Sequence, residues 1–296
     1  MKCMFRHILP FLFLTAVSAW TLGAQSIDVI LKPAVYDYDS LGTSQLVCTY
    51  RYCMLQDTSA RMGQGGVVLE GDSSAVRTET MLLLCGGEVS KWYSYDKLYS
   101  DSLILESMAG KDVNPQGVKI GTAIEIYKNY PAGKLTMTDR ISIGNYRVEE
   151  DMPDFGWKLS DEWKEVAGYR VRKATCSFRG RDYVAWFAPD IPVSDGPWKF
   201  CGLPGLILEA YDTRNHYRYE LAGMERSARP VRFPIANYID TSLEKYYRTM
   251  RRYIENSTAF MSGMLADIDP SDIYMVKVKK DRPEGSGMTY GFQEIL

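Results

Sequence analysis

The sequence predicts a mainly β (α+β) protein: an antiparallel, curved or half-barrel-like sheet with a few helices, including one long helix toward the C-terminal end. Three observations lead there. Segments rich in β-branched and aromatic residues, with alternating polarity, recur at short intervals between residues 45 and 222. The text between several of them has hairpin length and turn composition, as in Pro131-Ala132-Gly133 and Gly180-Arg181-Asp182. No regular alternation with ten-residue helices occurs, which a parallel βαβ sheet would need. The sequence holds no internal repeat, low-complexity tract or clear linker, so residues 25–296 are expected to form one domain.

Residues 1–24 read as a signal peptide. Lys2 and Arg6 precede an apolar stretch from 8 to about 22, and Gly23-Ala24 supplies the small residues of a cleavage site. Thr15, Ser18 and Thr21 shorten and soften the run below the roughly 20 apolar residues of a membrane span. No Leu-x-x-Cys lipid-attachment pattern stands near the cut, and no later stretch is apolar enough to span a bilayer. The mature chain is therefore expected to be exported, in the periplasm or associated with an outer membrane.

The first clear strand is 45–55, whose β-branched and aromatic residues nearly alternate. Residues 78–85 and 88–95 flank Gly86-Gly87 as a hairpin. Leu98, Leu103, Leu105 and Met108 fall at helical spacing and predict a short helix over 98–108. Strands are then expected at 123–128, 135–141, 146–150, 169–178, 183–188, 206–212 and 217–222. The long helix spans about 242–267, with Leu243, Tyr246, Tyr247, Met250, Tyr253 and Ile254 marking one face. Asp240 or Thr241 would cap its start, and Pro270 stops any continuation. Residues 273–279 read as a last strand and 282–287 as a loose end.

Composition removes several function classes. With 35 basic and 37 acidic side chains the formal charge is −2, which leaves no basic footprint for nucleic acid. His7 lies in the leader, so His216 is the one histidine of the mature chain. A site of two or three histidines is out of reach, and neither a metal nor a cofactor is expected. Cleavage also removes Cys3 and leaves Cys48, Cys53, Cys85, Cys176 and Cys201, an odd number, so at least one thiol stays unpaired. Cys176 and Cys201 sit in strand-like text of one dense region and are the expected disulfide, worth roughly 3–4 kcal/mol by loop closure. The alternative is that all five are small buried apolar residues.

That dense region runs from Trp157 to Asp212. It contains Gly168-Tyr169, Phe178-Arg179-Gly180-Arg181, Ala185-Trp186, Gly196-Pro197-Trp198-Lys199-Phe200 and Gly202-Leu203-Pro204-Gly205-Leu206-Ile207. The last six residues spell the signature of the GLPGLI family, secreted proteins found mainly in Gram-negative bacteria, and the chain resembles that family over about 78–225. Ser90-Lys91-Trp92-Tyr93-Ser94 and Asp101-Ser102 look similar as well. The resemblance implies export. It implies no chemistry, because the family has no established activity.

Physically, Pro204 fixes its own φ and lacks a donor, while Gly202 and Gly205 admit conformations closed to other residues. A tight connection re-entering the sheet is expected, with Leu203, Leu206 and Ile207 pinned to the core and Gly205 at positive φ in a type II turn. The other reading is close approach of a ligand to a glycine backbone. Arg179 and Arg181 flank a glycine at a hairpin tip and could hold a carboxylate or phosphate, or pair with Asp182 or Asp190. Alternation puts Tyr183, Ala185 and Phe187 on one sheet face and Val184, Trp186 and Ala188 on the other. Trp186 and Trp198 could line an apolar cavity or belong to ordinary core.

No residue is assigned a catalytic role. No serine has a Gly-x-Ser-x-Gly context, Cys201 and His216 are the one conceivable thiol–imidazole pair, and Glu149-Glu150-Asp151 and Asp161-Glu162 read as turn text. The sequence thus favours non-enzymatic binding in the cell envelope, of an apolar or peptide-like ligand or an outer-membrane partner. The rivals are a hydrolase using carboxylates or Cys201, and a structural envelope protein without a small ligand.

Overall fold

The computed structural model describes residues 25–31, 33–56, 61–62, 68–70, 75–115, 118–255, 273–280 and 293–294. The leader, the second half of the expected long helix and the expected loose end lie outside these residues. Along the chain come β1 (Gln25–Leu31), β2 (Tyr38–Thr43), β3 (Leu46–Leu55), β4 (Arg61–Met62) and β5 (Val68–Glu70). β6 (Val76–Cys85) and β7 (Ser90–Ser94) lead into helix α1 (Tyr95–Met108). β8 (Glu125–Lys128), β9 (Lys134–Ile141), β10 (Gly144–Asp151), β11 (Lys158–Val166), β12 (Tyr169–Phe178) and β13 (Arg181–Ala188) follow. After β14 (Leu206–Asp212), β15 (Tyr217–Arg226), β16 (Pro230–Pro234) and β17 (Tyr238–Asp240) stand α2 (Leu243–Glu255) and β18 (Ile273–Lys280).

Twelve strands form one sheet in the order β11-β12-β13-β14-β15-β3-β6-β7-β8-β9-β10-β17. Every neighbour pairs antiparallel except β10 and β17, which run parallel. The two edges, β11 and β17, do not pair, so the sheet is not a closed barrel. It is nonetheless strongly curved. β13 and β10 are eight steps apart in that order, about 38 Å on a flat sheet at ~4.8 Å per step. Arg179, at the tip before β13, nevertheless lies 2.6 Å from Glu150 of β10. The sheet must bend back on itself to make that contact.

The alternating pattern explains which residues fill the bend. On β6, Met81, Leu83 and Cys85 join the main core, while Leu82 and Leu84 join a second cluster on the opposite face. Tyr50, Trp92, Ile126, Met137, Val148, Tyr183, Phe187 and Tyr219 belong to the main core, on the concave side. The convex side is covered locally by the β2–β16 ribbon, which brings Val231 and Phe233 onto Leu82, Leu84 and Tyr127. An unbroken apolar run such as Met81-Leu82-Leu83-Leu84 is what a strand buried on both faces needs.

α1 starts three residues before the helix expected from spacing, because the Ser94 side chain accepts from the Lys97 amide and Asp96 sits in the first turn. Its apolar residues do not form a buried face: Ile104 is buried, whereas Leu98, Leu105 and Met108 are exposed. The late helix begins at Leu243, as its spacing predicts, and is described to Glu255. β1, β2, β4, β5, β11, β16 and β17 are strands that the sequence pattern does not announce.

The expected disulfide is absent: Cys176 and Cys201 are both free thiols, as are Cys48, Cys53 and Cys85. Cys176 faces the concave side opposite Tyr183. The Tyr183 ring packs on Trp198 and Phe200 at 6.1 and 5.0 Å, so aromatic rings occupy the ground between β12 and the segment carrying Cys201.

Candidate functional site

The 189–205 connection between β13 and β14, which carries the Gly202–Ile207 signature, enters the concave side of the sheet. Leu203, Leu206 and Ile207 are buried. Main-chain bonds tie it to itself, from Leu206 N to Ile191 O at 3.0 Å and from Ile207 N to Asp195 O at 2.9 Å. The sheet holds it through Tyr50, whose hydroxyl donates to Ile207 O at 2.7 Å, and through Lys128. The Lys128 ammonium pairs with Asp195 and donates to Gly196 O at 2.6 Å and Phe200 O at 3.2 Å. Trp157 donates its indole N–H to Cys201 O at 2.8 Å. Gly205 has φ 154°, positive as expected but far from the ~80° of a type II turn. The connection is built as core.

The four residues singled out as ligand-binding candidates do not converge. Arg179 pairs with Glu150 and Glu294. Arg181 is buried against Asp212 at 3.0 Å and the Tyr217 ring at 4.9 Å, with His216 Nδ1 3.3 Å away. Trp198 packs edge-on against Phe178 and Phe200 and tilted against Tyr183 on the concave side, which brings it near Arg179 around Phe178. Trp186 lies on the other face with Lys164 Nζ 4.4 Å from its ring centre, and its N–H is buried without a partner among the described residues. The alternation of Tyr183 and Phe187 against Trp186 is as the sequence predicts. Burial pushes the Cys201 thiol above its ordinary range and holds the His216 imidazole below its own, and neither is a partner of the other in any described contact. A nucleophilic thiol needs the opposite shift.

A site that no local motif announces lies on the convex side. The outer face of β7–β10, the β2–β16 ribbon, the segment before β2 and the start of α1 enclose a cleft of about 440 Å³. That volume is in the range of small-ligand pockets. Strand alternation supplies its floor, because Lys91 and Tyr93 of β7 and Glu125 of β8 point outward while Trp92 and Ile126 point into the core. Lys91 is buried, pairs with Glu125 at 2.8 Å, donates to Arg232 O at 3.2 Å and sits about 5 Å from the rings of Tyr93 and Tyr127. Tyr127 donates to Glu125 and to Arg232 O at 3.1 Å. The walls are Tyr36, whose hydroxyl donates to Asn145 at 2.8 Å, together with Tyr38 and Tyr238. Arg232 lies over the Tyr38 ring at 5.9 Å and Arg147 over Tyr238 at 5.3 Å. Burial raises the pKa of Tyr38, Tyr93 and Tyr238, so these phenols remain hydroxyl donors at neutral pH. The arrangement offers aromatic faces and both signs of charge around one space.

Comparison with known proteins adds a short match. Residues 179–209 match a family model described as Porph_ging, a protein of unknown function. The matched stretch runs from the β12–β13 tip through the whole connection into β14. No curated protein matches the sequence. Two solved structures, titled as PNGF-II in P21 and C2 space groups, superpose with a TM-score of 0.45 each, at 11% and 10% identity. The superposition covers 70% of this chain and 32% of each of those chains, so the chain spans about a third of their length. No helix among the described residues is long and apolar enough to cross a membrane.

Proposed function

We propose that this chain is an exported, non-enzymatic binding protein of the cell envelope, and that the convex-side cleft holds a peptide-like ligand. The observation that carries this is the lining: tyrosine walls around the buried Lys91 and its half-buried partner Glu125, in about 440 Å³. A peptide presents amide donors and acceptors, side chains for aromatic faces and charged ends, and the cleft has a counterpart for each. The polar lining favours such a ligand over a purely apolar one. Two ion pairs form within the lining, Lys91 with Glu125 and Lys97 with Asp101, which suits recognition. Exposed Tyr95, Leu98 and Tyr99 on α1 extend the surface beyond the cleft, where a longer ligand or an outer-membrane partner would lie. Membership of the GLPGLI family belongs to the same proposal: the six signature residues fall inside the stretch matched by the unknown-function model. Export rests on the character of residues 1–24.

The test is native mass spectrometry of protein gently extracted from the envelope, with Tyr38→Ala/Arg232→Ala as the comparison. Both side chains are exposed, so the double variant keeps the fold. We expect the parent to carry peptide-like masses and the variant to lose most of them. Equal loads in both proteins, or none in the parent, would refute the assignment.

A further inference from the structure

We propose that the concave interior contains a receptor for a single carboxylate, built from Arg179, Lys199 and Tyr247, and that Glu294 fills it as a ligand supplied by the chain itself. The Glu294 side chain is wholly buried. Its Oε1 accepts from Lys199 Nζ at 2.9 Å and pairs with Arg179; its Oε2 accepts from Lys199 Nζ at 3.0 Å and from the Tyr247 hydroxyl at 2.7 Å. The three donors come from separate parts of the fold: the β12–β13 tip, the 189–205 connection and α2.

Charge arithmetic sets the demand for an anion. Lys199 is wholly buried, and both it and Arg179 also bind Glu150 of β10, each at 2.6 Å. With Glu294 in place the group holds two cations and two carboxylates. Without it, Glu150 alone faces two cations, one of them the wholly buried Lys199, a costly arrangement. Lys199 and Arg179 also keep Glu150 below the usual carboxylate range although burial opposes them, so Glu150 stays charged but supplies one charge only. The residue before Glu294 is held as well. Tyr183 donates to Gln293 O at 3.1 Å and Tyr219 donates to Gln293 Oε1 at 2.7 Å. Lys199, Arg179 and Tyr247 all act as donors toward the two oxygens of Glu294, so the receptor takes a forked, acceptor-only group: a carboxylate, not an amide or an ammonium.

The test is chemical rescue in the full chain. Glu294→Ala removes the atoms of one acetate. We expect this variant to melt on the order of 10 °C below the parent, because an uncompensated cation remains inside. Sodium acetate at tens of millimolar should restore several degrees, while acetamide and sodium chloride at matched concentration restore none. The parent should not respond, and adding Lys199→Met to Glu294→Ala should abolish the response. If Glu294→Ala melts with the parent, or if acetate acts no differently from chloride, the proposal falls. Should the variant fail to accumulate in folded form, refolding in acetate against acetamide decides: recovery in acetate alone supports the receptor, and equal recovery overturns it.

Discussion

A β-carbon at Gly205 would stand 2.2 Å from the carbonyl oxygen of Ala188 and 2.7 Å from its carbonyl carbon, both backbone atoms that cannot swing aside. At Gly202, φ is 87° and the nearest atom to such a carbon is 3.9 Å away. The two glycines of one motif are therefore required for different reasons. Gly205→Ala should cost about 2–3 kcal/mol through overpacking and strain, and Gly202→Ala about 1 kcal/mol through strain alone. Urea midpoints of the two variants check this, and equal midpoints would contradict the close-approach account. The sequence makes the need for glycine legible, since Pro-Gly before Leu-Ile-Leu must turn and then extend. It does not disclose the cause. The obstructing atom belongs to the end of β13, seventeen residues upstream, and only the paired strands bring it there. The same limit applies to Cys176 and Cys201, where strand-like text says nothing of the rings between them.

At the scale of the element, the 189–205 connection acts as an internal layer, and Lys128 fastens it to β8 through the Asp195 carboxylate and two carbonyls. Lys128→Met would leave Asp195 without its counter-ion and two carbonyls without a donor. The expected loss is about 3–5 kcal/mol. Adding Asp195→Asn removes the stranded charge and should recover part of that loss, which a double-variant unfolding cycle measures; a strictly additive result would mean the pair does not act as one unit. Elements with local signals are those the sequence predicts best. The β6–β7 hairpin has its Gly-Gly turn, β12 and β14 match their expected bounds, and α2 starts where its tyrosine spacing says. β11 is missed because Lys158–Val166 is largely exposed and its pairing with β12 is interrupted by a bulge, which breaks the two-residue rhythm. β16 and β17 are short, and their partners lie far away in sequence. The cleft has no local signal, because its covering ribbon joins residues nearly 200 positions apart.

On the scale of the whole molecule, Asp139 links layers that no single element contains. It stands on β9 beside the cleft, its Oδ1 accepts from the Arg140 amide at 2.8 Å, and its Oδ2 accepts from Tyr246 of α2 at 2.7 Å. Burial raises its pKa from 3.8 to about 6, against the opposing pull of those two hydrogen bonds. A folded-state pKa above the unfolded one means that the fold holds this proton more tightly than the open chain does. Below pH 4 both states are protonated and Asp139 contributes nothing to the difference. Between about pH 4 and 6 the unfolded chain releases the proton first, so stability falls as pH rises. Above pH 6 the loss is complete, at roughly 3 kcal/mol by the ~1.4 kcal/mol carried per unit. Asp139→Asn keeps a partner for Tyr246 and for the Arg140 amide but carries no charge to bury. The variant should therefore be more stable than the parent at pH 8, by up to about 3 kcal/mol, with the advantage shrinking toward zero at pH 4. Other carboxylates, Glu150 among them, titrate in both proteins and cancel in the difference. Urea unfolding of parent and variant at pH 4, 5, 6 and 8 gives that difference directly. A pH-independent gap would show that Asp139 is charged in the fold at little cost.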